Sequence, residues 1–159
     1  MKTVLVTGGS GFLGWHIATF FRNMYTVHAT YESNPTEIYG CHSLHMDLIN
    51  PVTIEETLKH IKPDVVVHCA AIANAKLCED EPELAFEVNQ QGTENLIQQL
   101  DNPETRFIYI STDLVYDGEN APYSEDSLAH PVSMYGKSKL AGEQSVQRLW
   151  ENSIVLRIP

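Results

Sequence analysis

A tyrosine and a lysine spaced four residues apart, Tyr135 and Lys139, have the side chains and the spacing for proton transfer. They lie at the beginning of a predicted helix over residues 133–150, and residues four apart share one helical face. A free tyrosine has a pKa of about 10. A neighbouring ammonium favours the phenolate and so lowers that pKa. The two residues are therefore a candidate acid–base pair, although the same spacing also occurs in exposed helical pairs without a chemical role.

A hydroxyl and a carboxylate come earlier in the chain, where the predicted strand over residues 106–110 ends. Thr112 and Asp113 follow that strand almost directly. In doubly wound sheets, ligands gather at the carboxyl ends of the strands. We therefore expect Thr112 to hydrogen-bond a substrate carbonyl while Tyr135 delivers or removes the proton.

Three glycines, Gly8, Gly11 and Gly14, form a G-x-x-G-x-x-G pattern between an apolar run at residues 4–6 and a helical pattern at residues 11–23. Glycines permit a tight turn, let the backbone approach a pyrophosphate and let the helix pack on the strand. The N–H groups at the start of the helix would then face the phosphates, and the helix dipole adds to the attraction. The pattern predicts a dinucleotide phosphate loop, with a glycine-rich turn without a ligand as the alternative. The other candidate contacts of this loop are Ser10, Phe12 and Leu13.

Further candidate binding residues follow the second, third and fourth predicted strands. Beside the adenosine ribose, an acidic residue is typical of NAD and a basic one of NADP. Tyr31 and Glu32 stand there without a nearby Lys or Arg, which favours NAD, although Glu32 fits a solvated loop charge equally well. Asp47, followed by Leu48, could accept a hydrogen bond from the adenine amino group, or it could be a turn or helix-capping residue. The residues predicted to form a cofactor floor after the fourth strand are Cys69, Ala70 and Ala71.

Strand-like and helical segments alternate along the chain. The clearest strand is residues 64–69, where consecutive β-branched side chains favour a strand covered on both faces. Alternation of this kind implies a mostly parallel sheet. We predict an α/β fold, a Rossmann-type doubly wound sheet of about six strands with helices on both faces, forming one domain over residues 1–159. The predicted strands are 4–6, 25–31, 42–46, 64–69, 106–110 and 154–158, and the predicted helices are 11–23, 51–59, 82–100 and 133–150.

The composition argues against several other classes of protein. The formal net charge is −11, from 21 acidic and 10 basic residues, and no dense run of Lys and Arg is present, so nucleic acid is not an expected partner. The apolar run at the N-terminus breaks at Gly8 and is too short for a signal peptide or a membrane span. The three cysteines lack metal-ligand spacing, which predicts free thiols, no metal site and a cytoplasmic location.

Taken together, six segments of the sequence resemble the extended short-chain dehydrogenase/reductase family. Within that family they are most similar to dTDP-4-dehydrorhamnose reductases and their relatives, which include the reductase-like regulatory subunit of methionine adenosyltransferase. The resemblance extends over essentially all 159 residues. The segments are VTGGSGFLG, DVVVHCAAIANAKLCEDEP, VNQQGTENL, YISTDLVYDG, APYSEDS and YGKSKLAGE.

The resemblance implies hydride transfer from a nicotinamide cofactor to a nucleotide-linked keto-sugar. In this chain it makes Tyr135 the acid and Lys139 its partner, which also binds the cofactor. It gives Thr112 the role of orienting the keto group, with Asp113 beside it. Asn89, in the VNQQGTENL segment, matches an asparagine of the active-site framework near the cofactor, and the alternative is an ordinary helical polar residue.

Two features depart from the family pattern. Glu32 stands where close relatives often have a basic residue, so the choice between NAD and NADP stays open. Family members are also nearly twice as long, and we expect the C-terminal lobe that binds the sugar nucleotide to be absent from these 159 residues. Weak or absent turnover by the chain alone would follow.

Two other functions stay open alongside the reductase. One is a non-catalytic, cofactor-binding regulatory protein that binds a protein partner. The other is a nucleotide-sugar epimerase or dehydratase, because those enzymes also use a Tyr/Lys pair. The sequence leaves the oligomeric state open as well, a homo-oligomer included.

Overall fold

A single parallel sheet organises the protein in the computed structural model, which describes all of residues 1–159. Its six strands stand in the order β3-β2-β1-β4-β5-β6, so the chain moves outward from the centre and then returns to the other side of β1. A topological switch point therefore lies between β1 and β4, where ligands bind in folds of this kind. This arrangement confirms the predicted Rossmann-type α/β fold. The strands are β1 (Thr3–Thr7), β2 (Thr26–Tyr31), β3 (His42–His45), β4 (Val65–His68), β5 (Arg106–Thr112) and β6 (Ser153–Ile158).

Helices cover both faces of the sheet because successive strand residues point to opposite sides. On β1, Val4 and Val6 pack in a core with Ala18 of the first helix. Leu5, between them, packs in a second and larger core with residues such as Ile54 and Val146. The main helices are α1 (Phe12–Phe21) on the first face, and α2 (Pro51–Ile61), α5 (Gly92–Gln98) and α6 (Met134–Leu149) on the second. None of the helices combines the length and the apolar character needed to cross a membrane.

The predicted helix over residues 82–100 is present as a continuous helical run, but a π-helical turn interrupts its α-helical pattern. The run consists of α4 (Pro82–Phe86), the π-helical turn (Glu87–Gln91) and α5, and a short helix that was not predicted, α3 (Ala75–Asp80), precedes it. A π turn contains one more residue than an α turn, and an apolar pattern with a period near 3.6 does not reveal that insertion. The remaining predicted elements are present, with ends shifted by a few residues.

Helix α6 lies unusually close to the elements beneath it. Ser133 begins the helix by accepting a hydrogen bond from the Gly136 N–H group. A Cβ atom at Gly136 would stand 2.2 Å from the Leu114 carbonyl oxygen, and one at Gly142 would stand 2.2 Å from the Tyr109 hydroxyl. Only glycine permits these two approaches, which bring α6 against the carboxyl end of β5.

Candidate functional site

A cleft of about 520 Å³ opens at the carboxyl ends of the central strands. It follows β1, β2, β3 and β4, which is where the sequence predicted a cofactor. Ten of the predicted binding residues line it, namely Gly8, Ser10, Gly11, Tyr31, Glu32, Asp47, Leu48, Cys69, Ala70 and Ala71. The fold thus brings together residues from four separate segments of the sequence.

The other predicted binding residues lie outside the lining of this cleft. Phe12 is largely exposed at the start of α1, Leu13 is half-buried, and Gly14 is buried beneath the loop. Three more belong to the elements beside the cleft rather than to its walls: Asn89, Tyr135 and Lys139.

The glycine loop makes a tight turn between β1 and α1 that other residues could not adopt. Gly8 has a φ of 67°, a conformation that glycine adopts without steric cost. A Cβ atom at Gly8 would stand 2.8 Å from the Cα of Ala70, and one at Gly14 would stand 2.2 Å from the Gly8 carbonyl oxygen. The cap of α1 is Gly11, which has no side chain to accept a hydrogen bond. The first N–H groups of α1 therefore remain free to bind an anion at the mouth of the cleft.

The outer end of the cleft is acidic. Glu32 is exposed there, and no lysine, arginine or histidine lines the cleft. Asp47 uses a carboxylate oxygen to accept a 3.0 Å hydrogen bond from the Ile49 N–H group, as expected for a turn residue. Its carboxylate still borders the cleft, so the turn role and a role toward an adenine are compatible.

Several lining residues were not predicted as binding residues. Most of them flank predicted positions on the same strand ends, so a wider window around each strand would have found them. Leu84 and Val88 lie in the predicted helix over residues 82–100, and in the structure both line the cleft. The others are Thr30, Ser33, Met46, Ile49 and Ile72.

Thr112 and Asp113 lie where β5 ends, at the same edge of the sheet. The Thr112 hydroxyl accepts a 3.1 Å hydrogen bond from the Leu114 N–H group and donates a 3.3 Å hydrogen bond to the Asp113 carboxylate. Thr112 is buried and Asp113 is exposed. The close approach of Gly136 to Leu114 brings this turn beside the first turn of α6, which carries Tyr135.

Lys139 is buried, and its ammonium group faces an aromatic ring. The Nζ atom lies 4.1 Å from the ring centroid of Tyr109, and none of the four ion pairs of the chain includes Lys139. Burial lowers the pKa of Lys139 to about 7, against the opposing effects of Cys69 and Glu143. Such a group carries a proton that it can release near neutral pH.

Tyr135 differs from the expectation drawn from the sequence. Burial raises the pKa of its hydroxyl, and the charges of Cys78 and Asp113 raise it further. The prediction that Lys139 lowers this pKa is therefore wrong, because the ammonium faces the Tyr109 ring and the tyrosine is half-buried. The arrangement keeps Tyr135 protonated, which suits a proton donor.

Asn89 is a buried structural residue of the π-helical turn. Its amide oxygen accepts a 2.8 Å hydrogen bond from the Ile72 N–H group, and its amide nitrogen donates to the Ile72 carbonyl and to the Ser138 hydroxyl. Ser138 in turn donates to the Tyr135 carbonyl. Asn89 therefore joins the segment after β4 to the helix that carries Tyr135. It does not line the cleft, and its role beside a cofactor stays a prediction.

A buried ion pair lies one helical turn beyond Lys139, and the sequence analysis missed it. Arg157 of β6 donates two parallel hydrogen bonds to the Glu143 carboxylate, at 3.0 and 2.6 Å. The same guanidinium donates to the Tyr116 hydroxyl at 2.6 Å. The spacing of Tyr135, Lys139 and Glu143 by fours along α6 was the available signal, since it places all three on one face.

The chain also matches a family model along its whole length. The model for the RmlD substrate binding domain matches residues 1–159. The chain belongs to that family. Its three cysteines are free, and it contains no group of three histidine, cysteine or acidic side chains placed to hold a metal ion.

Proteins similar to this chain include a methionine adenosyltransferase subunit and dTDP-4-dehydrorhamnose reductases. Methionine adenosyltransferase 2 subunit beta of Xenopus laevis is 35% identical over 159 residues, which is 99% of this chain and 46% of that protein. The crystal structure of a hypothetical dTDP-4-dehydrorhamnose reductase from Sulfolobus tokodaii superposes with a TM-score of 0.86 at 32% identity and covers 99% of this chain and 55% of that one. The dTDP-4-dehydrorhamnose reductase of Bacillus anthracis, in complex with NADP, gives a TM-score of 0.85 at 28% identity, covering 99% and 53% of the two chains. The chain thus spans about half the length of the relatives it matches.

Proposed function

We propose that this chain binds a nicotinamide dinucleotide and forms the cofactor-binding part of a reductase that acts on a nucleotide-linked keto-sugar. The observation that carries the proposal is the uncapped start of α1 at the mouth of a cleft that crosses the switch point of the sheet. The free N–H groups suit a pyrophosphate, and the small residues Ala70 and Ala71 leave room for the rest of the cofactor. The Bacillus anthracis reductase, whose crystal structure contains NADP, supports the same proposal.

NAD is the preferred cofactor in this proposal. A 2′-phosphate needs a cation beside it, and the cleft lining contains none. Glu32 borders the cleft after β2, where its carboxylate can accept a hydrogen bond from a ribose hydroxyl and repels a phosphate. This preference differs from the NADP found with the Bacillus anthracis relative.

The proposed chemistry is reduction of a keto group by proton and hydride transfer. A bound reduced nicotinamide supplies the hydride. Tyr135, which the site keeps protonated, gives its proton to the keto oxygen, and the Thr112 hydroxyl turns from the Asp113 carboxylate to donate to that oxygen and orient it. Tyr135 is half-buried, so it can regain its proton from water after each turnover. Residues beyond this chain would recognise the sugar nucleotide, because relatives are about twice as long.

A second candidate is a regulatory subunit that binds the cofactor and a protein partner without catalysis. The 35% identity with methionine adenosyltransferase 2 subunit beta favours it. The presence of Thr112, Tyr135 and Lys139 at one edge of the sheet favours the reductase, since a binding subunit has no chemical need of them. Turnover therefore separates the two candidates.

Fluorescence titration of the chain with NADH and NADPH tests the cofactor proposal. We expect saturable binding of both, tighter for NADH, and we expect Glu32→Arg to shift the ratio of the two dissociation constants toward NADPH by about 10- to 100-fold. Glu55→Arg, on the exposed surface of α2, adds the same charge away from the cleft and should leave the ratio unchanged. Binding of neither cofactor, or the same shift in both variants, would contradict the proposal.

The Tyr135→Phe variant tests the reductase itself. With a dTDP-linked 4-keto-sugar and NADH, we expect slow cofactor oxidation by the native chain, none by the variant, and equal NADH affinity in both. Oxidation that persists in the variant would refute the role of Tyr135. Absence of oxidation in both proteins would fit the regulatory candidate and a reductase whose sugar-nucleotide site needs residues beyond this chain equally well, so only the comparison of two active proteins tests Tyr135.

A further inference from the structure

A chain of buried hydrogen bonds runs through the sheet from the phosphate loop to the π-helical turn. Its centre is His68, the last residue of β4, which is fully buried. The ring Nδ1 atom lies 2.8 Å from the Thr7 hydroxyl, and the Nε2 atom lies 3.0 Å from the Thr93 hydroxyl. Both threonines are fully buried as well. The proposed reaction uses none of these three side chains.

The neighbours of the two threonines indicate which atom donates in each hydrogen bond to the His68 ring. The Thr7 hydroxyl accepts a 3.1 Å hydrogen bond from the Ala70 N–H group, and His68 Nδ1 is the one acceptor within hydrogen-bond distance of its own proton, so the arrangement that satisfies both groups has Thr7 donating to Nδ1. The Thr93 hydroxyl donates a 2.8 Å hydrogen bond to the Asn89 carbonyl, so it accepts from His68 Nε2. His68 must then be a neutral ring with its proton on Nε2. Burial lowers the pKa of His68 to about 3, with the Lys139 charge adding to the effect, which agrees with a neutral ring.

The two ends of this chain belong to different parts of the candidate site. Thr7 precedes Gly8 of the phosphate loop, and Ala70 lines the cleft floor. Asn89 holds Ile72 after β4 and Ser138 of α6. Any shift of the His68 ring would therefore disturb hydrogen bonds to both parts.

We propose that His68 is a positioning residue that, as the Nε2–H tautomer, couples the phosphate loop to the π-helical turn and thereby sets cofactor affinity. The inference rests on the proposed function for its cofactor. A buried histidine with only a packing role would stabilise the fold without such coupling. Thr93 discriminates the two roles because it does not line the cleft, so its hydroxyl can influence the cofactor only through its neighbours.

Nuclear magnetic resonance of the native chain tests the tautomer without any cofactor. In ¹⁵N-labelled protein at neutral pH, long-range ¹H–¹⁵N correlations should show a protonated Nε2 and an unprotonated Nδ1 for His68. A protonated Nδ1, or a doubly protonated ring, would overturn the proposal. Detection of the Nε2–H tautomer together with a complete lack of NADH binding would refute the proposed function and, with it, the cofactor half of this inference.

A double-mutant cycle with NADH titration tests the coupling. We expect Thr7→Val and Thr93→Val each to raise the NADH dissociation constant by between about 2- and 30-fold. We expect the double variant to match the weaker-binding single variant, since breaking either bond already releases the ring. Thr93→Ser keeps the hydroxyl and should bind like the native chain.

Thr105→Val is the matched control for this cycle. Thr105 is buried, and its hydroxyl donates a 2.7 Å hydrogen bond to the Pro63 carbonyl at the opposite edge of the sheet. Its replacement removes an equivalent buried hydroxyl and should leave the NADH affinity unchanged. An unchanged dissociation constant in Thr93→Val, or effects of Thr7→Val and Thr93→Val that multiply independently, would overturn the proposal.

Discussion

The Lys139→Met variant shows by how much the buried ammonium of Lys139 lowers the free energy of unfolding. The side chain is 2% exposed, and its pKa falls from 10.5 to about 7 on burial. That difference is about 3.5 pKa units, and at about 1.4 kcal/mol for each unit the cost below neutral pH reaches at most about 5 kcal/mol. Small domains have a total unfolding free energy of about 5–15 kcal/mol, so Lys139→Met should be clearly more stable than the native chain at pH 6.

The same burial predicts a pH dependence with a definite sign. The folded-state pKa lies below the unfolded-state value, so the unfolded chain binds more protons between about pH 7 and pH 10.5. The free energy of unfolding therefore rises with pH in that window. From Lys139 alone, the rise between pH 6 and pH 8.5 amounts to about 2 kcal/mol.

Urea unfolding of the native chain and of Lys139→Met at pH 6 and pH 8.5 provides the measurement. The stability advantage of the variant should shrink by about 2 kcal/mol at the higher pH, because all other titrating groups are common to both proteins. Lys137→Met, which removes an exposed lysine of the same helix, should leave the pH dependence unchanged. Parallel pH profiles for the native chain and Lys139→Met would refute the reasoning.

Three further substitutions have expected effects on urea unfolding. Glu143→Gln should lower the free energy of unfolding by about 1–3 kcal/mol, because the partly exposed Arg157 guanidinium loses the charge of its carboxylate partner but keeps an acceptor oxygen. Gly14→Ala should lower it by about 1–3 kcal/mol or more, since the added methyl group would stand 2.2 Å from the Gly8 carbonyl oxygen and must displace it. Asn89→Ala should cost about 2–3 kcal/mol, because it strands buried hydrogen-bonding groups, and near-ultraviolet circular dichroism should show a changed environment for the aromatic residues around α6.

Matched control substitutions separate these specific losses of stability from the loss that any substitution nearby would cause. Arg148→Gln removes an ion pair with Glu94 in which the arginine side chain is 65% exposed, so the loss should stay below about 1 kcal/mol. Gly11→Ala adds a methyl group with no contact closer than 3.3 Å and should cost less than Gly14→Ala. A loss from Arg148→Gln as large as that from Glu143→Gln would contradict the ion-pair argument, and equal losses at the two glycines would contradict the steric one.

The order of strands and helices was predictable because the spacing of apolar residues along the sequence reflects which side chains each element buries. The run over residues 64–69 has β-branched side chains on both faces, and it forms a central strand of the sheet. The glycines of the phosphate loop were predictable because backbone conformation and close packing exclude other residues there. Ten residues of the cleft could be predicted as binding residues because ligands bind at the carboxyl ends of parallel strands.

The details that decide the chemistry were not predictable in this way. Spacing placed Tyr135 and Lys139 on one helical face, but the ring of Tyr109, from a distant strand, determines where the ammonium lies. Neither a hydrogen-bond chain through His68 nor the partner of Glu143 leaves a local pattern, because each joins residues far apart in sequence. Long-range polar contacts of this kind depend on the completed fold.

Helix α6 has a mechanical consequence for the candidate site. It holds Tyr135, Lys139 and Glu143 at successive turns of one face, and Gly136 and Gly142 seat it directly on its neighbours. Because the helix is rigid, one of these three side chains cannot shift with the backbone unless the other two shift as well. A change in the shape of the candidate site would therefore have to come from the surrounding loops, while Tyr135, Lys139 and Glu143 move together.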